Sequence, residues 1–147
     1  MKALFEAYEN TTFRIELPGG EVSLRPRSQC SALDEFLAEN RWQHAAVITA
    51  FNPKSIEKTR EQNELANGRL EKKIARGGHS FVPGAGVGDD PDWSEEDSYL
   101  IFDIDLEQAL EIAEEFGQYA IAFHTLEQET VIELTAIGRR SSKIRDS

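Results

Sequence analysis

The chain has 147 residues, of which 39 % are hydrophobic and 29 % are charged, and its net charge at pH 7 is −11. This length suits a single domain with one hydrophobic core, and no apolar run approaches the roughly 20 residues of a membrane-spanning helix. The first residues lack the apolar stretch of a secretory signal, and Cys30 is the only cysteine. We therefore expect a cytoplasmic protein without disulfides and without membrane insertion.

The charge is unevenly distributed along the chain. Residues 81–137 contain fifteen Asp or Glu and no Lys or Arg, whereas residues 138–147 contain four basic residues and one acidic residue. We expect a globular domain over residues 1–137 and a basic, disordered tail over residues 138–147. A strongly acidic body repels phosphates, so direct binding to nucleic acid is disfavoured.

Short segments of strand character open the chain. Residues 4–8 and 12–17 are predicted strands, and a Pro-Gly-Gly turn leads into a hairpin partner at residues 21–25. Residues 31–40 have helical periodicity, and the apolar run at residues 44–51 predicts a central strand that is covered on both faces. Asn52 and Pro53 then predict an N-cap and first turn for a long polar helix over residues 54–76.

The second half begins with a brief predicted strand at residues 79–83 and a glycine-rich loop at residues 84–88. A strand at residues 98–102 precedes a helix at residues 106–116, which Asp105 should cap. Residues 119–125 and 130–134 close the chain as a pair of strands. The predicted fold is therefore a single α+β domain with a mixed, mostly antiparallel sheet and about three helices packed on it.

Four stretches together resemble a known family. They are residues 48–55, which read I-T-A-F-N-P-K-S and are followed by Asn63, the glycine-rich loop, residues 92–98, which read D-W-S-E-E-D-S, and residues 116–121, which read F-G-Q-Y-A-I. The region from 46 to 123 resembles domain of unknown function 3293, a family of small bacterial proteins. The resemblance implies no activity, but it implies that the matching polar positions converge. These positions are Asn52, Ser55, Asn63, Glu95, Glu96, Ser98, Gly117 and Gln118.

Other candidate chemistries have weak support in the sequence. The glycine-rich loop is followed by Asp89, Asp90 and Asp92 rather than by a lysine, which disfavours a phosphate cradle. The acidic run could hold Mg²⁺ or Ca²⁺, but its spacing matches no EF-hand, and a solvated loop is the better interpretation. We predict neither a metal nor a cofactor. Glu95 or Glu96 could serve in acid–base catalysis if burial raised its pKa. Strand neighbours point to opposite faces, so at most one of the two would line a given pocket.

Single residues of catalytic type also receive structural interpretations. Cys30 precedes a helix but has no assigned partner for nucleophilic catalysis. His44 and His124 are expected to be hydrogen-bonded strand residues, and His79 stands beside the glycine-rich loop.

Two functional hypotheses follow from these features. The first is a binding module, inhibitor-like or immunity-like, whose acidic surface engages a basic protein. Its contact residues would be Asp89, Asp90, Asp92, Trp93, Glu111, Glu114 and Glu115. The second is a small-molecule-binding or nucleotide-binding protein, or an enzyme, whose polar pocket is formed by Asn52, Ser55, Asn63, Glu95, Glu96 and Gln118, with Ser98 beside it. The charge distribution favours the first hypothesis.

Overall fold

A computed structural model of the protein describes residues 2–141 and residue 144. It contains five α-helices, seven β-strands and one 3₁₀ turn in these residues. The helices are α1 (Lys2–Glu9), α2 (Ser31–Glu39), α3 (Arg60–Arg76), α4 (Leu106–Glu115) and α5 (Ala136–Arg140). The strands are β1 (Thr12–Leu17), β2 (Gly20–Leu24), β3 (His44–Ile48), β4 (Phe81–Val87), β5 (Glu96–Phe102), β6 (Ala120–Thr125) and β7 (Val131–Leu134), and the 3₁₀ turn is Pro53–Ser55.

All seven strands form one antiparallel sheet in the order β2-β1-β4-β5-β3-β6-β7. An isolated parallel bridge joins Pro26, after β2, to Thr130, before β7. The two edge strands are thus brought together by the curl of the sheet. The predicted α+β class and the single domain are confirmed.

Strand β3 lies inside the sheet and separates two apolar cores. Its alternate side chains point to opposite faces, so that Ala46 and Ile48 join one core while Ala45 and Val47 join the other. Helices α3 and α4 cover the first core, and α2 covers the second. The prediction of a central strand with both faces covered is confirmed. None of the helices in the described part of the chain is long and apolar enough to cross a membrane.

The prediction of a strand at residues 4–8 is wrong, because this segment is part of helix α1. Leu4, Phe5 and Tyr8 are spaced so that they share one side of a helix, and all three are half-buried. A short apolar run fits either periodicity, so the pattern of apolar residues alone does not distinguish a helix from a strand here.

The helix predicted from residue 54 begins instead at Arg60. Asn52, Lys54 and Ser55 have φ angles of 47°, 58° and 59°, which no right-handed helix can contain. Thr59 caps α3: its side chain accepts from Gln62 N, and the Gln62 side chain accepts from Thr59 N. The prediction that Asn52 is the N-cap is therefore wrong.

The glycine-rich stretch is not a loop, since Gly84, Ala85 and Gly86 belong to strand β4. Gly84 pairs with Ile15 on β1 and with Ser98 on β5. A Cβ atom at Gly84 would lie 2.8 Å from Ile15 Cδ1 and 2.8 Å from Arg14 O, so any larger residue would force the strands apart. Strand β5 also starts two residues earlier than predicted, at Glu96.

The C-terminal elements follow the prediction more closely. Asp105 caps α4 by accepting from Gln108 N at 2.8 Å, and β6 pairs with β7. The predicted tail starts inside α5, where Gly138 is buried against the backbone of Tyr119. Ser142, Lys143 and residues 145–147, which belong to the predicted tail, lie outside the described residues.

Candidate functional site

A strained turn at residues 52–55 organises the candidate site. Three of its four residues, Asn52, Lys54 and Ser55, have left-handed backbone conformations although none is glycine. Such conformations cost about 1 to 3 kcal/mol each and persist where the surroundings impose them. They are concentrated at functional sites, which makes this turn a candidate for a binding role.

Gly117 and Gln118 hold the turn from one side. Lys54 N donates to Gly117 O at 2.7 Å, and Gln118 Nε2 donates to Phe51 O at 3.0 Å. Gly117 has a φ of 73°, and a Cβ atom there would lie 2.6 Å from Pro53 Cβ. The backbone conformation and the close approach each require glycine at this position. Because the Gln118 amide donates only to backbone carbonyls, its role here is to position the turn.

Asn52 is the hydrogen-bonding centre of the turn. Its Oδ1 accepts from Asn63 Nδ2 and from Lys58 N, both at 2.9 Å, and its Nδ2 donates to Glu96 Oε2 at 2.8 Å. Asn63 Oδ1 in turn accepts from Asn52 N at 2.8 Å. Trp93 Nε1 also donates to Glu96 Oε2, at 3.2 Å. We call Asn52, Asn63, Trp93 and Glu96 the Glu96 cluster.

The two oxygens of Glu96 have different environments. Oε2 accepts from Asn52 and Trp93, whereas Oε1 has no hydrogen-bond partner in the described part of the chain and is not fully buried. Burial raises the pKa of Glu96 above its ordinary value, and the hydrogen bonds from Asn52 and Trp93 partly offset that rise. Glu96 is thus a fixed carboxylate with one oxygen available to a ligand donor.

Tyr8 and Ser55 lie beside the Glu96 cluster. Burial raises the pKa of Tyr8 to about 12, a hydrogen bond with the Ser55 side chain acts in the opposite direction, and the charge of Glu96 contributes to the rise. The phenol therefore stays neutral at physiological pH. A neutral hydroxyl and a carboxylate of raised pKa can bind polar groups and exchange a proton with them.

The Glu96 cluster and the turn beside it bring together four of the residues predicted to bind a ligand, namely Asn52, Ser55, Asn63 and Glu96. Glu95 instead forms an ion pair with Arg14. Ser98 shares a sheet face with Glu96 but is only 4 % exposed, and its Oγ has no hydrogen-bond partner in the described residues. The predicted pocket is therefore divided between the turn, the cluster and a neighbouring cleft.

That cleft has a volume of about 430 Å³ and lies beside α3, on the face of β5 that carries Asp97 and Tyr99. Its charged lining is mainly acidic, with one arginine. The cleft is lined by Arg14, Glu16, Glu21, Phe51, Asn67, Pro83, Gly84, Ala85, Glu95, Asp97, Ser98 and Tyr99. Sequence reasoning missed Arg14, Asn67 and Tyr99. Asn67 had a readable signal, because it follows Asn63 by four residues on the same helix face as the buried Leu70 and Ile74.

The residues predicted to bind a basic protein fall into two groups. Asp89, Asp90 and Asp92 are exposed and make no ion pair with the described residues, and Trp93 is 42 % exposed beside them. On α4, in contrast, Glu114 pairs with Arg140 at 3.5 Å and Glu115 with Lys73 at 3.2 Å, while Glu111 is exposed. Within the described residues no group of three or more His, Cys, Asp or Glu is arranged to hold a metal ion.

Comparison with known proteins identifies the family but not an activity. No curated protein and no solved structure matches the chain. The family described as protein of unknown function DUF3293 matches residues 48–121, which is half of the chain and includes the strained turn, the glycine-rich strand, the Glu96 cluster and Gly117–Gln118. The suspected resemblance is confirmed: the chain belongs to the DUF3293 family.

Proposed function

We propose that this protein binds a small polar molecule at the Glu96 cluster, with Glu96 Oε1 accepting a hydrogen bond from an N–H or O–H group of the ligand. The observation that carries the proposal is the asymmetry of this carboxylate. Two donors immobilise Oε2, so Oε1 has a defined direction, yet it has no partner among the described residues. A carboxylate that is positioned in advance loses less conformational freedom when it binds.

The surroundings favour a ligand that carries an amine or several hydroxyl groups. Glu95 and Asp97 flank Glu96 in sequence and form ion pairs with Arg14 and Arg60. Asp90 and Asp92 make no ion pair with the described residues, so the net local charge is negative and a phosphate group would be repelled. The half-exposed indole of Trp93 offers a face on which a cation or an apolar ring can pack. The neutral Tyr8 hydroxyl adds a second polar group beside the cluster.

A fluorescence titration tests this proposal. Trp93 reports on the cluster directly, and Trp42→Phe removes the only other tryptophan. Three probes cover this ligand class. Spermidine carries amines alone, glucosamine carries an amine with hydroxyls, and adenosine carries hydroxyls with an aromatic ring. We expect at least one probe to change Trp93 emission saturably, and Glu96→Gln to weaken that binding about tenfold or more, because a charge-assisted hydrogen bond is lost.

Glu95→Gln is the matched control. It removes the same charge one residue away, from a side chain that pairs with Arg14 rather than with the cluster. Equal weakening by Glu95→Gln and Glu96→Gln would show that the general acidity of the region, rather than the cluster, attracts the probe. Absence of saturable binding by all three probes would contradict the proposed ligand class.

A second candidate function is docking of a basic protein on the loop at residues 89–93. The observation that favours it is an exposed tryptophan beside three unpaired aspartates, which combines an aromatic anchor with a charged rim. Replacing Asp89, Asp90 and Asp92 together by Asn should slow association with such a partner at low salt, whereas small-molecule binding should weaken less in this variant than in Glu96→Gln. Pull-down of one basic protein that is lost in this triple variant, and kept in Glu96→Gln, would support docking over small-molecule binding.

A further inference from the structure

Helix α3 carries a basic stripe on an otherwise acidic protein. Arg69, Lys72, Lys73 and Arg76 are exposed and follow the spacing i, i+3, i+4 and i+7, which places them on one side of the helix over about 10 Å. The net charge of the chain is −11, so this stripe is a local reversal of sign. The net charge of residues 1–80 does not reveal the stripe, because acidic residues elsewhere in that segment balance its positive charges.

The helix dipole explains only part of the stripe. Cations stabilise the last turn of a helix, and Lys73 and Arg76 occupy that turn. Arg69 and Lys72 lie before it, where the dipole effect is weak. Lys73 pairs with Glu115, whereas Arg69, Lys72 and Arg76 make no ion pair with any described residue. Three cations are therefore available on this side of α3.

These cations border a groove with an apolar wall. The groove has a volume of about 690 Å³, within the range of about 300 to 1,000 Å³ that is usual for small-molecule sites. Its apolar lining comes from Ala50, Pro53, Ala66 and Phe116. Gly117 and the turn residue Pro53 also line the groove. The close contact between these two residues, which supports the strained turn, therefore contributes to the shape of this surface as well.

We propose that this groove binds a small phosphorylated molecule, with the phosphate on Arg69, Lys72 and Arg76 and the apolar part of the molecule against Pro53 and Phe116. Guanidinium groups present paired donors that match phosphate oxygens. A small molecule fits better than a nucleic acid, because a long polyanion would also meet the acidic remainder of the surface. The site is separate from the Glu96 cluster and does not depend on the function proposed for that cluster.

Calorimetric titration at 0.15 M salt with three probes tests this inference. ADP carries phosphates and an aromatic base, pyrophosphate carries phosphates alone, and adenosine carries the base alone. We expect ADP to bind more tightly than pyrophosphate, and adenosine not to bind in the groove. Arg69→Gln and Arg76→Gln should each weaken ADP binding about tenfold, which corresponds to the loss of one charge-assisted contact.

Two further variants separate binding from general charge effects. Lys58→Gln removes one exposed positive charge outside the groove and should leave the ADP affinity unchanged. Glu115→Gln removes the carboxylate that pairs with Lys73 and should strengthen ADP binding, since Lys73 is released and a like charge is removed. Absence of binding by both phosphate-bearing probes at millimolar concentration would overturn the inference. So would equal effects of Lys58→Gln and Arg69→Gln, or tighter binding of adenosine than of ADP to the Glu96→Gln variant, in which the Glu96 cluster is weakened and the groove is intact.

Discussion

The His124 network and the Glu96 cluster are two polar groups of this protein that differ in one respect. His124 is fully buried on β6, and both ring nitrogens have partners: Nε2 lies 2.7 Å from Asp34 Oδ1 and Nδ1 lies 2.9 Å from Thr130 Oγ1. Glu96 is held as firmly through Oε2, but its Oε1 has no partner among the described residues. A network whose groups are all satisfied stabilises a fold, whereas one with an open acceptor is prepared to bind.

The His124 network should therefore dominate stability. Replacing His124 by Phe keeps an aromatic ring at this position but leaves Thr130 Oγ1 without its partner and Asp34 with one donor fewer. We expect a loss of about 3 kcal/mol in the free energy of unfolding, because each buried polar group left unpaired costs about 1 to 3 kcal/mol. Urea denaturation with an unchanged m-value measures this loss.

His44→Phe is the control for that variant. His44 lies half-exposed on β3 beside Phe123, with ring centroids 5.5 Å apart, and it has no polar partner comparable to Asp34. Its replacement should change stability by less than about 1 kcal/mol. Equal losses in the two variants would mean that the His124 hydrogen bonds contribute little to stability.

After His124, we expect stability to be most sensitive to substitution at Gly117, which contacts Pro53 in the strained turn. Gly117→Ala places a methyl group 2.6 Å from Pro53 Cβ and imposes a left-handed conformation on alanine. We expect a loss of about 2 kcal/mol, measured by denaturation, together with weaker probe binding at the Glu96 cluster. Gly68→Ala is the matched control, because Gly68 lies inside α3 with open space around it and alanine should stabilise the helix by up to about 1 kcal/mol.

Asn52→Ala tests the link between the turn and Glu96. The substitution removes the side-chain contacts to Asn63, Lys58 N and Glu96, so we expect a stability loss of about 1.5 kcal/mol and a change in Trp93 emission. Asn40→Ala removes a single exposed contact, the 2.8 Å hydrogen bond to Phe36 O, and should have a smaller effect. An unchanged Trp93 spectrum in Asn52→Ala would contradict the proposed positioning of Glu96.

The smallest expected effect is the pH dependence that Glu96 contributes to stability. Because burial raises its pKa in the folded state, the folded protein binds the proton more tightly than the unfolded chain does. Stability from this group is full below the ordinary pKa near 4.5 and decreases as the pH rises through the folded-state value. The difference in unfolding free energy between wild type and Glu96→Gln should follow this decrease. A difference that stays constant with pH would show that Glu96 is not shifted.

Much of the fold could be predicted from local signals. Three features could be recognised from short stretches of sequence. They are the apolar run of β3, the Asp105 cap with the apolar stripe of α4, and the final pair of strands. The predictions failed where a segment's state depends on its neighbours. The apolar run at residues 4–8 fits either periodicity and is helical, and the glycine-rich stretch at residues 84–86 lies in a strand because it pairs with β1 and β5.

The candidate site was predictable only in part, for a similar reason. The family resemblance marked Asn52, Ser55, Asn63 and Glu96 as residues that converge, and they do lie together. It could not distinguish Gln118, which supports the turn, from Glu96, whose Oε1 has no partner among the described residues. Nor could it find Arg14, whose position beside Glu95 depends on the pairing of β1 with β4 across about seventy residues of chain.

The α+β class, the family, the central strand and the capped helix α4 could all be predicted from the sequence, because periodicity, capping and motif spacing are local properties of the chain. The folded arrangement was needed to find which oxygen of Glu96 has no partner among the described residues, which acidic residues are paired, and where the basic stripe of α3 borders a groove. These features depend on contacts between residues far apart in the chain. Neither the order of charges nor the spacing of residues along the sequence gives the distances between such residues in the folded protein.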